Sequence, residues 1–475
     1  MSLFDLLQLI TSNIWVYGIP FILVLSLLVF VHEWGHYIVA KMCGVHVDVF
    51  SIGFGNELFG ITDKSGTRWQ FSAIPLGGYV KMFGDSDPAS AGHDEEVEDR
   101  EQPRPMTAEE RKTAFFAKPV WKRAAIVFAG PAINFLFAVI LFIGLYAGVG
   151  KPVTPPVATG IIEGGAAAKA GFQPHDRVIA INGQDINRFE QIRRAVMITI
   201  DEKLEFTVLR DGQEISLSAE PEIVETEDHF GFDHSYGFLG VIGPNNGINV
   251  KSIQQIDGIE TGGDLSKNKA LLAERMGQTF QIKIDNGDSA QTLTVQPKAG
   301  FNESLLESAA ATERQPALDK QDTQGKQPSV LFIASGETEK VVRFSPIESV
   351  GAAIKETWDI TAGTMTALGQ IITGARSATE LGGIIRIGAI AGDMAQAGLI
   401  ALISFTAILS INLGLINLFP IPMLDGGHLV FYAVEALKGS PISEQIQEYA
   451  FRLGLVILVG IMLFANLNDI VQIIS

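Results

Sequence analysis

The stretch Val31-His32-Glu33-Trp34-Gly35-His36 lies inside an apolar run that extends over roughly Ile14–Ala40. A helix of about 20 apolar residues is long enough to cross the hydrocarbon core of a bilayer. Within such a helix, His32 and His36 project from the same face because residues four positions apart are neighbours on the helix surface. The stretch therefore predicts a membrane-spanning helix that carries a polar site with metal-binding spacing.

The pattern His-Glu-x-x-His supplies side chains suited to a metal-dependent hydrolase. Two imidazole nitrogens at this spacing can bind one Zn²⁺, and Glu33 can act as a general base toward water. An ionisable side chain at the bilayer centre costs about 2.5–3.5 kcal/mol even on the mildest insertion scale. Three such side chains so close together need compensation, so we favour a zinc site over a lipid-buried cluster without metal.

A catalytic zinc usually takes three ligands from the protein, so a third ligand must come from elsewhere in the chain. Asp425 is the best candidate, because it follows Pro420 and Pro422 in a segment where the helix must break. Broken backbone at membrane depth is tolerated only where protein or a water-filled cavity satisfies it. His428 is a rival ligand, and capping of the turn at Gly426-Gly427 is the alternative role of Asp425. The remaining histidines lie on soluble segments and are expected to be surface or structural residues: His46, His93, His175, His229 and His234.

Composition agrees with a membrane protein that also has large soluble parts. The mean hydropathy of the 475 residues is +0.25, and the net charge of −18 argues against nucleic acid as a partner. A single cysteine, Cys43, excludes an internal disulfide. Four apolar runs are long enough to span a bilayer, at roughly Ile14–Ala40, Ala124–Val149, Leu399–Phe419 and Leu453–Ile474.

The distribution of Lys and Arg predicts the orientation of these spans. Lys41 follows the first span, Lys118 precedes the second, and Lys438 lies between the third and the fourth, whereas no basic residue follows Arg452. By the positive-inside rule, both termini and the segment 150–396 face away from the cytoplasm.

The segment 151–223 resembles a PDZ domain. A Gly- and Ala-rich turn leads to a strand that ends in Asn182-Gly183, followed by a helix at Phe189–Met197 and a hairpin that turns at Asp211-Gly212. His175 departs from the pattern, since Gly is usual there. PDZ domains bind peptides by adding a strand to an exposed sheet edge, and an inert spacer is the alternative.

The pattern recurs in part over 224–300. The Gly-rich carboxylate-binding loop is missing before Val250, so we interpret the segment as a degenerate second PDZ-like unit, with an unrelated α/β insertion as the alternative. Within this segment we predict a helix at Leu265–Met276. Two strands are predicted to follow, at Phe280–Asp285 and Gln291–Val295, joined by a turn at Asn286-Gly287.

The whole chain is thereby divided into ten predicted segments. Short strands joined by turns are expected over 45–81. Ser345-Pro346-Ile347-Glu348 predicts the start of an amphipathic helix that lies on the membrane surface or packs on the PDZ units, with packing in a core as the alternative. In order, the segments are the first transmembrane helix (1–43), a β region (44–83), a cytoplasmic loop (84–120), the second transmembrane helix (121–150), the PDZ domain (151–223), the second unit (224–300), a linker (301–329), the amphipathic helix with the approach to the membrane (330–397), the third transmembrane helix (398–428), and a cytoplasmic turn with the fourth transmembrane helix (429–475).

Three motifs together resemble the site-2 proteases, the intramembrane zinc metalloproteases of family M50, and most closely their bacterial branch of sigma-E regulators. The motifs are His32-Glu33-Trp34-Gly35-His36, Asn417-x-x-Pro420-x-x-x-Leu424-Asp425-Gly426 and the PDZ insertion. The segments Phe50–Gly55, Pro75–Lys81 and Ala129–Phe135 are also similar to that family. The resemblance implies a polytopic α-helical membrane protein with four transmembrane helices, a membrane-reentrant β-hairpin region and an inserted α/β PDZ-type periplasmic region.

The resemblance also implies residue roles and partners. It implies Zn²⁺ as the cofactor and Glu33 as the general base. The implied substrates are transmembrane proteins of the anti-sigma factor type or remnant signal peptides, and the implied location is the lipid bilayer of the bacterial inner membrane. It implies the zinc ligands His32, His36 and Asp425 and the substrate-binding residues Asn417, Pro420, Gly77, Gly78 and Tyr79. The PDZ region would exclude substrates with bulky extracytoplasmic domains.

Two departures from the family concern the periplasmic side. Ile384 stands where the family usually has Pro, and the region after Val250 lacks a complete second PDZ domain. Two other functions compete with proteolysis, a catalytically inactive scaffold that presents PDZ modules and a metal transporter. The intact Glu33 argues against the scaffold, and the clustering of polar groups at one depth argues against a transport path.

Overall fold

The computed structural model describes most of the chain, namely residues 3–84, 96–98, 103–200, 202–244, 247–285, 290–303, 305–306, 330–333 and 340–474. The predicted linker at 301–329 lies largely outside the described residues, as do His93 and much of the acidic part of the predicted cytoplasmic loop. The predicted turn at Asn286-Gly287 also lies outside them.

The described helices and strands follow each other in this order. The helices are α1 (Leu3–Met42), α2 (Ala108–Thr113), α3 (Val120–Gly148), α4 (Ala166–Ala170), α5 (Phe189–Ile198), α6 (Leu265–Arg275), α7 (Pro346–Thr373), α8 (Ile384–Gln396), α9 (Leu399–Asn417), α10 (Asp425–Lys438) and α11 (Glu444–Ile474). The strands are β1 (Val47–Thr62), β2 (Arg68–Met82), β3 (Glu96–Glu98), β4 (Pro103–Pro105), β5 (Lys151–Val153), β6 (Gly160–Ile162), β7 (Arg177–Ile181), β8 (Gln184–Asp185), β9 (Leu204–Arg210), β10 (Gln213–Ala219), β11 (Glu222–Glu227), β12 (Asp233–Phe238), β13 (Val241–Ile242), β14 (Gly247–Asn249), β15 (Ile253–Ile256), β16 (Ile259–Glu260), β17 (Phe280–Asp285), β18 (Ala290–Val295), β19 (Val330–Phe332) and β20 (Lys340–Val342).

Four helices in the described part of the chain are long and apolar enough to cross a membrane, and they confirm the four predicted spans. They are α1, α3, α9 and α11. Helix α3 packs against both α1 and α9. Small residues allow this close approach, since a Cβ atom added to Gly35 would lie 2.5 Å from the carbonyl oxygen of Ala129. Three of the four spans therefore meet around α3.

The third predicted span ends earlier than expected. Helix α9 ends at Asn417, and α10 begins at Asp425, so the break at Pro420 and Pro422 separates two helices. Residues 429–438, expected as part of a cytoplasmic turn, instead continue α10 as far as Lys438. Gly439 in the left-handed conformation (φ 78°) then ends that helix.

The β region consists of two long, bent strands and not of several short ones. Residues 49–52 of β1 lie between two segments of β2. They pair with residues 78–81 on one side and with residues 68–71 on the other. The distal part, 57–62, pairs with 68–72. The pairing leaves residues 78–82 at one edge of this small sheet, next to α1, and Phe50, Val80 and Met82 pack in one core with Ala40 of α1.

The predicted strands and helices of the two PDZ-like units are present among the described residues, but the connection between the units was not foreseen. The first unit has the strand order β10-β9-β7-β8, with its hairpin turning at Asp211-Gly212 (φ 50° and 82°). In the second unit β17 pairs with β18, as expected. The short strand β6 contributes Ile161 to the core of the first unit and also pairs with β18 of the second unit. The two units therefore share a sheet, and their assignment as PDZ domains stays a prediction.

Helix α7 starts at the predicted capping box, in which the Ser345 side chain accepts from the backbone of Glu348. Its buried residues include Ala353 and Glu356, and it packs on α3 and α9. The predicted apolar stripe points away from these contacts, since Trp358 is 71% exposed. Core packing of the stripe is thus wrong, and the stripe is available for lipid.

Candidate active site

His32 and His36 lie one turn apart on α1, as their spacing predicts. Their Nε2 atoms are 3.3 Å apart, and each residue is only 8% exposed. The two rings face α3, where Gly130 has no side chain. A Cβ atom there would lie 2.2 Å from Nε2 of His36. The absence of a side chain at Gly130 therefore leaves room for both imidazoles.

Asp425 is brought to the histidines by the broken segment between α9 and α10. Its Oδ2 lies 3.2 Å from Nε2 of His32 and its Oδ1 lies 3.6 Å from Nε2 of His36. Gly426 and Gly427 follow it, and Cβ atoms there would lie 2.3 Å and 2.5 Å from carbonyl oxygens of the preceding loop. The chain can fold back on the start of α10 because both positions are glycines.

The three side chains fit a zinc ion. They are the one group of three or more His, Cys, Asp or Glu side chains in the described residues whose ligand atoms all lie within 4.8 Å of one another. Tetrahedral zinc with bonds of about 2.0–2.2 Å separates its ligand atoms by about 3.4 Å. The observed separations of 3.2–3.6 Å agree with that value. Two nitrogens and a carboxylate oxygen form a donor set found in catalytic zinc sites.

His428, the rival ligand, is not part of this group. Its ring packs against Phe451 of α11 with a centroid distance of 5.1 Å, and it lines the same cavity from the side of α10. The geometry thus favours Asp425 over His428 as the third ligand.

Two contacts behind the histidines were not foreseen. Nδ1 of His36 donates to the carbonyl oxygen of Ile126 at 2.9 Å. The amide nitrogen of Asn134 lies 3.1 Å from Nδ1 of His32. The only signal in the sequence was the motif Ala129–Phe135 in the second span, where a buried amide needs a hydrogen-bond partner.

Glu33 lies between the histidines on α1 and lines a cavity of about 800 Å³ together with them and Asp425. The edge of β2 passes directly over it, since a Cβ atom on Gly78 would lie 3.3 Å from Cγ of Glu33. Gly77 and Tyr79 line the same cavity. The structure thus brings the predicted base, the predicted ligands and the edge strand to one place.

The two other predicted substrate-binding residues differ in position. Asn417, at the end of α9, lines the cavity, and its amide nitrogen lies 3.4 Å from Nε2 of His32. Pro420 is exposed and lies outside the cavity lining, so its visible effect is to break the helix.

The remaining described histidines lie away from the cavity, as expected. His46, His229 and His234 each lie beside an aspartate, at 3.5, 3.1 and 3.2 Å. Nε2 of His175 donates to the carbonyl oxygen of Gln296 at 2.8 Å, and burial lowers the pKa of this imidazole. His175 has a φ of 73°, which explains why Gly is usual at this position.

Comparison with known families decides the class of the protein. The family model described as Peptidase family M50 matches residues 20–461, which include all the residues of the cavity. The chain belongs to peptidase family M50. Members of this family are zinc-dependent metalloendopeptidases of the site-2 protease type, so the predicted family, enzyme class and cofactor are confirmed.

Relatives in this family match nearly the whole chain. A protein of Agrobacterium fabrum named "Putative zinc metalloprotease Atu1380" is 36% identical over 97% of this chain and 97% of its own. "Protease RseP" of Yersinia pestis is 33% identical over 94% of this chain and 97% of its own. "Regulator of sigma E protease" of Haemophilus influenzae is 31% identical over 97% of this chain and 100% of its own.

Proposed function

We propose that this M50 protease cleaves transmembrane segments of single-span membrane proteins within the bacterial inner membrane. Substrates of the anti-sigma factor type fit the relatives named for sigma E, and remnant signal peptides form a second substrate class. The observation that carries the proposal is the position of His32, Glu33 and His36. They lie on a helix that is apolar enough to span a membrane and face a cavity.

In this proposal, His32, His36 and Asp425 hold the zinc ion. Zinc, when bound, supplies Lewis-acid stabilisation of the developing oxyanion and lowers the pKa of water. Glu33 takes the proton of the attacking water and then delivers it to the leaving amine nitrogen. The carboxylate is well placed for both steps, because it is on the same helix as two ligands and lines the cavity.

The edge of β2 is proposed to hold the substrate. A transmembrane helix hides its peptide bonds in its own hydrogen bonds, so it must be extended before cleavage. An extended segment can add as a strand to an exposed edge, and residues 78–82 offer such an edge beside Glu33. Asn417 can hold a freed backbone group, since its amide faces the same cavity.

The distal part of this sheet is proposed to enter the membrane. Phe59 and Ile61 are 65% and 76% exposed, and Leu58 and Phe54 lie beside them with exposures of 65% and 45%. Apolar patches of this kind mark contact with lipid or protein. A reentrant hairpin would place the edge strand at the depth of the histidines.

The orientation follows from the basic residues that flank the spans. Lys41 and Lys118 support a cytoplasmic β region, with the termini and the two PDZ-like units on the periplasmic side. There, the units act as a filter that excludes substrates with bulky periplasmic domains. A protease-protection assay on sealed vesicles tests this orientation.

Zinc content tests the ligand set. Asp425→Ala is expected to lose most of its zinc after purification, because one of the three donors is gone. His428→Ala is the matched control and is expected to keep zinc at the wild-type level. Normal zinc in Asp425→Ala together with a loss in His428→Ala would overturn the assignment.

A further inference from the structure

We infer that Asn134 is a positioning residue for the metal centre: its amide oxygen accepts the Nδ1–H of His32 and so presents the Nε2 lone pair of that ring to the zinc ion. The inference rests on the zinc site proposed above and extends it to a side chain on a different helix. It concerns how one ligand is held, not the chemistry of cleavage.

Asn134 is a completely buried amide in α3 (0% exposed). Its Nδ2 lies 3.1 Å from Nδ1 of His32. Within the described part of the chain, its Oδ1 is buried and has no hydrogen-bond partner. A buried acceptor without a hydrogen-bond partner is destabilising, so the presence of a polar side chain at this position inside an apolar helix needs an explanation.

The position of the proton on the neutral imidazole of His32 decides whether Nδ2 or Oδ1 of Asn134 must face that ring. If the amide nitrogen donates to Nδ1, the neutral imidazole carries its proton on Nε2. That atom points at the metal position, 3.2 Å from Asp425 and 3.3 Å from Nε2 of His36. A protonated Nε2 cannot bind a metal ion, so this arrangement and zinc exclude each other.

A half-turn about the Cβ–Cγ bond removes the conflict. The two ends of an amide have the same shape, so the turn exchanges Oδ1 and Nδ2 without moving the backbone. Oδ1 then accepts the Nδ1–H of His32, and the Nε2 lone pair faces the metal. His36 is held in the same way, because its Nδ1 donates to the carbonyl oxygen of Ile126 at 2.9 Å.

Helix α9 keeps Asn134 in place. The hydroxyl of Ser410 donates to the backbone carbonyl of Asn134 at 2.9 Å. Gly414 packs closely on the same turn, since a Cβ atom there would lie 3.3 Å from Cβ of Asn134 and 3.0 Å from the carbonyl oxygen of Pro131. These contacts hold the backbone and Cβ of Asn134 next to His32, and neither involves the two ends of its amide.

Zinc affinity of the full-length protein in detergent, measured by competition with a chelator, tests the inference. Asn134→Leu removes the acceptor and is expected to weaken zinc binding by about 10–100-fold, as for other residues that orient metal-binding histidines. Asn134→Asp keeps an oxygen acceptor and is expected to stay within about threefold of the wild type. The electronic spectrum of the Co²⁺-substituted protein should change only in Asn134→Leu.

Asn412 offers a matched control on α9. Its Oδ1 accepts from the hydroxyl of Thr364 at 3.1 Å. Asn412→Leu and Asn412→Asp are both expected to bind zinc like the wild type. A loss of zinc in Asn412→Leu equal to that in Asn134→Leu would assign the effect to packing and overturn the inference.

Two further outcomes separate this inference from the proposed function. If the wild type itself binds no zinc, the proposed metal site fails. If the wild type binds zinc and Asn134→Leu binds it equally well, or Asn134→Asp loses it as Asn134→Leu does, only the role of Asn134 fails. Should Asn134→Leu not fold, ¹⁵N NMR of the zinc-loaded wild type decides, because the inference requires a protonated Nδ1 at His32 and an unprotonated Nδ1 contradicts it.

Discussion

At the residue scale, Gly130 matters because it faces His32 and His36, the proposed zinc ligands, without a side chain. A Cβ atom there would lie 2.2 Å from Nε2 of His36 and 2.9 Å from Cε1 of His32. Gly130→Ala is therefore expected to displace the rings and abolish both zinc binding and proteolysis. Gly144→Ala on the same helix is the control, since no described atom lies within 4 Å of its added Cβ.

Metal analysis and cleavage of a model substrate check this prediction. Wild-type zinc content in Gly130→Ala would show that the rings can move aside at little cost. A comparable loss in Gly144→Ala would instead point to a general effect of alanine in α3.

Sequence spacing identifies some of these residues and not others. His32 and His36 share a helix face at any orientation of that helix, and the break at Pro420 marks Asp425 as lining a cavity. Gly130 and Asn134 owe their positions to the packing of α3 over α1. That packing is a tertiary contact, so the motif Ala129–Phe135 singles out these residues without showing which helix they face.

At the element scale, the crossing of α1 and α3 depends on small residues. A Cβ atom on Gly35 would lie 2.5 Å from the carbonyl oxygen of Ala129 and 2.7 Å from the side chain of Ile133. Gly35→Ala is expected to lower the free energy of unfolding by about 1–3 kcal/mol, the usual cost of overpacking.

Thermal unfolding in detergent measures this effect. Gly460→Ala in α11 serves as the control, because no described atom comes within 4 Å of its added Cβ. Equal melting temperatures for the two variants would mean that α1 and α3 can separate without loss of stability.

The helices and strands could be predicted from the sequence better than the contacts between them. Apolar runs gave the spans, and Asp211-Gly212 gave the hairpin of the first unit, because both signals are local. The pairing of Gly160–Ile162 with β18 joins distant parts of the chain. Helix α10 was missed because the glycines at its start suggested a turn.

At the scale of the whole molecule, Glu356 connects the first PDZ-like unit to the bundle of apolar helices. This carboxylate of α7 forms an ion pair with Lys151 next to α3 and lies 2.5 Å from Arg194 and 3.9 Å from Arg188 at α5. Burial alone would raise the pKa of Glu356, but Lys151 and Arg194 outweigh it and lower this pKa to about 2.

Glu356→Gln is expected to destabilise the protein by about 2–3 kcal/mol at pH 7, because the largely buried Lys151 and Arg188 and the partly exposed Arg194 lose their counter-ion. The contribution of Glu356 is fully present above its ordinary pKa of 4.5 and is lost as the pH falls toward about 2. Unfolding measured from pH 7 to pH 3 should therefore show the wild type approaching Glu356→Gln. Lys355→Gln on the exposed face of α7 is the control, and a pH-independent gap between wild type and Glu356→Gln would contradict the account.

We propose that peptide bonds are cleaved in the cavity lined by residues of α1, α9 and α10, with Glu33 as the general base. The most direct test of this role is cleavage of a single-span membrane protein by wild type and by Glu33→Gln, both reconstituted in vesicles and both checked for zinc. We predict that Glu33→Gln keeps its zinc and cleaves at least about 100-fold more slowly, as expected for the loss of a general base. Equal cleavage by the two zinc-loaded proteins would contradict the account.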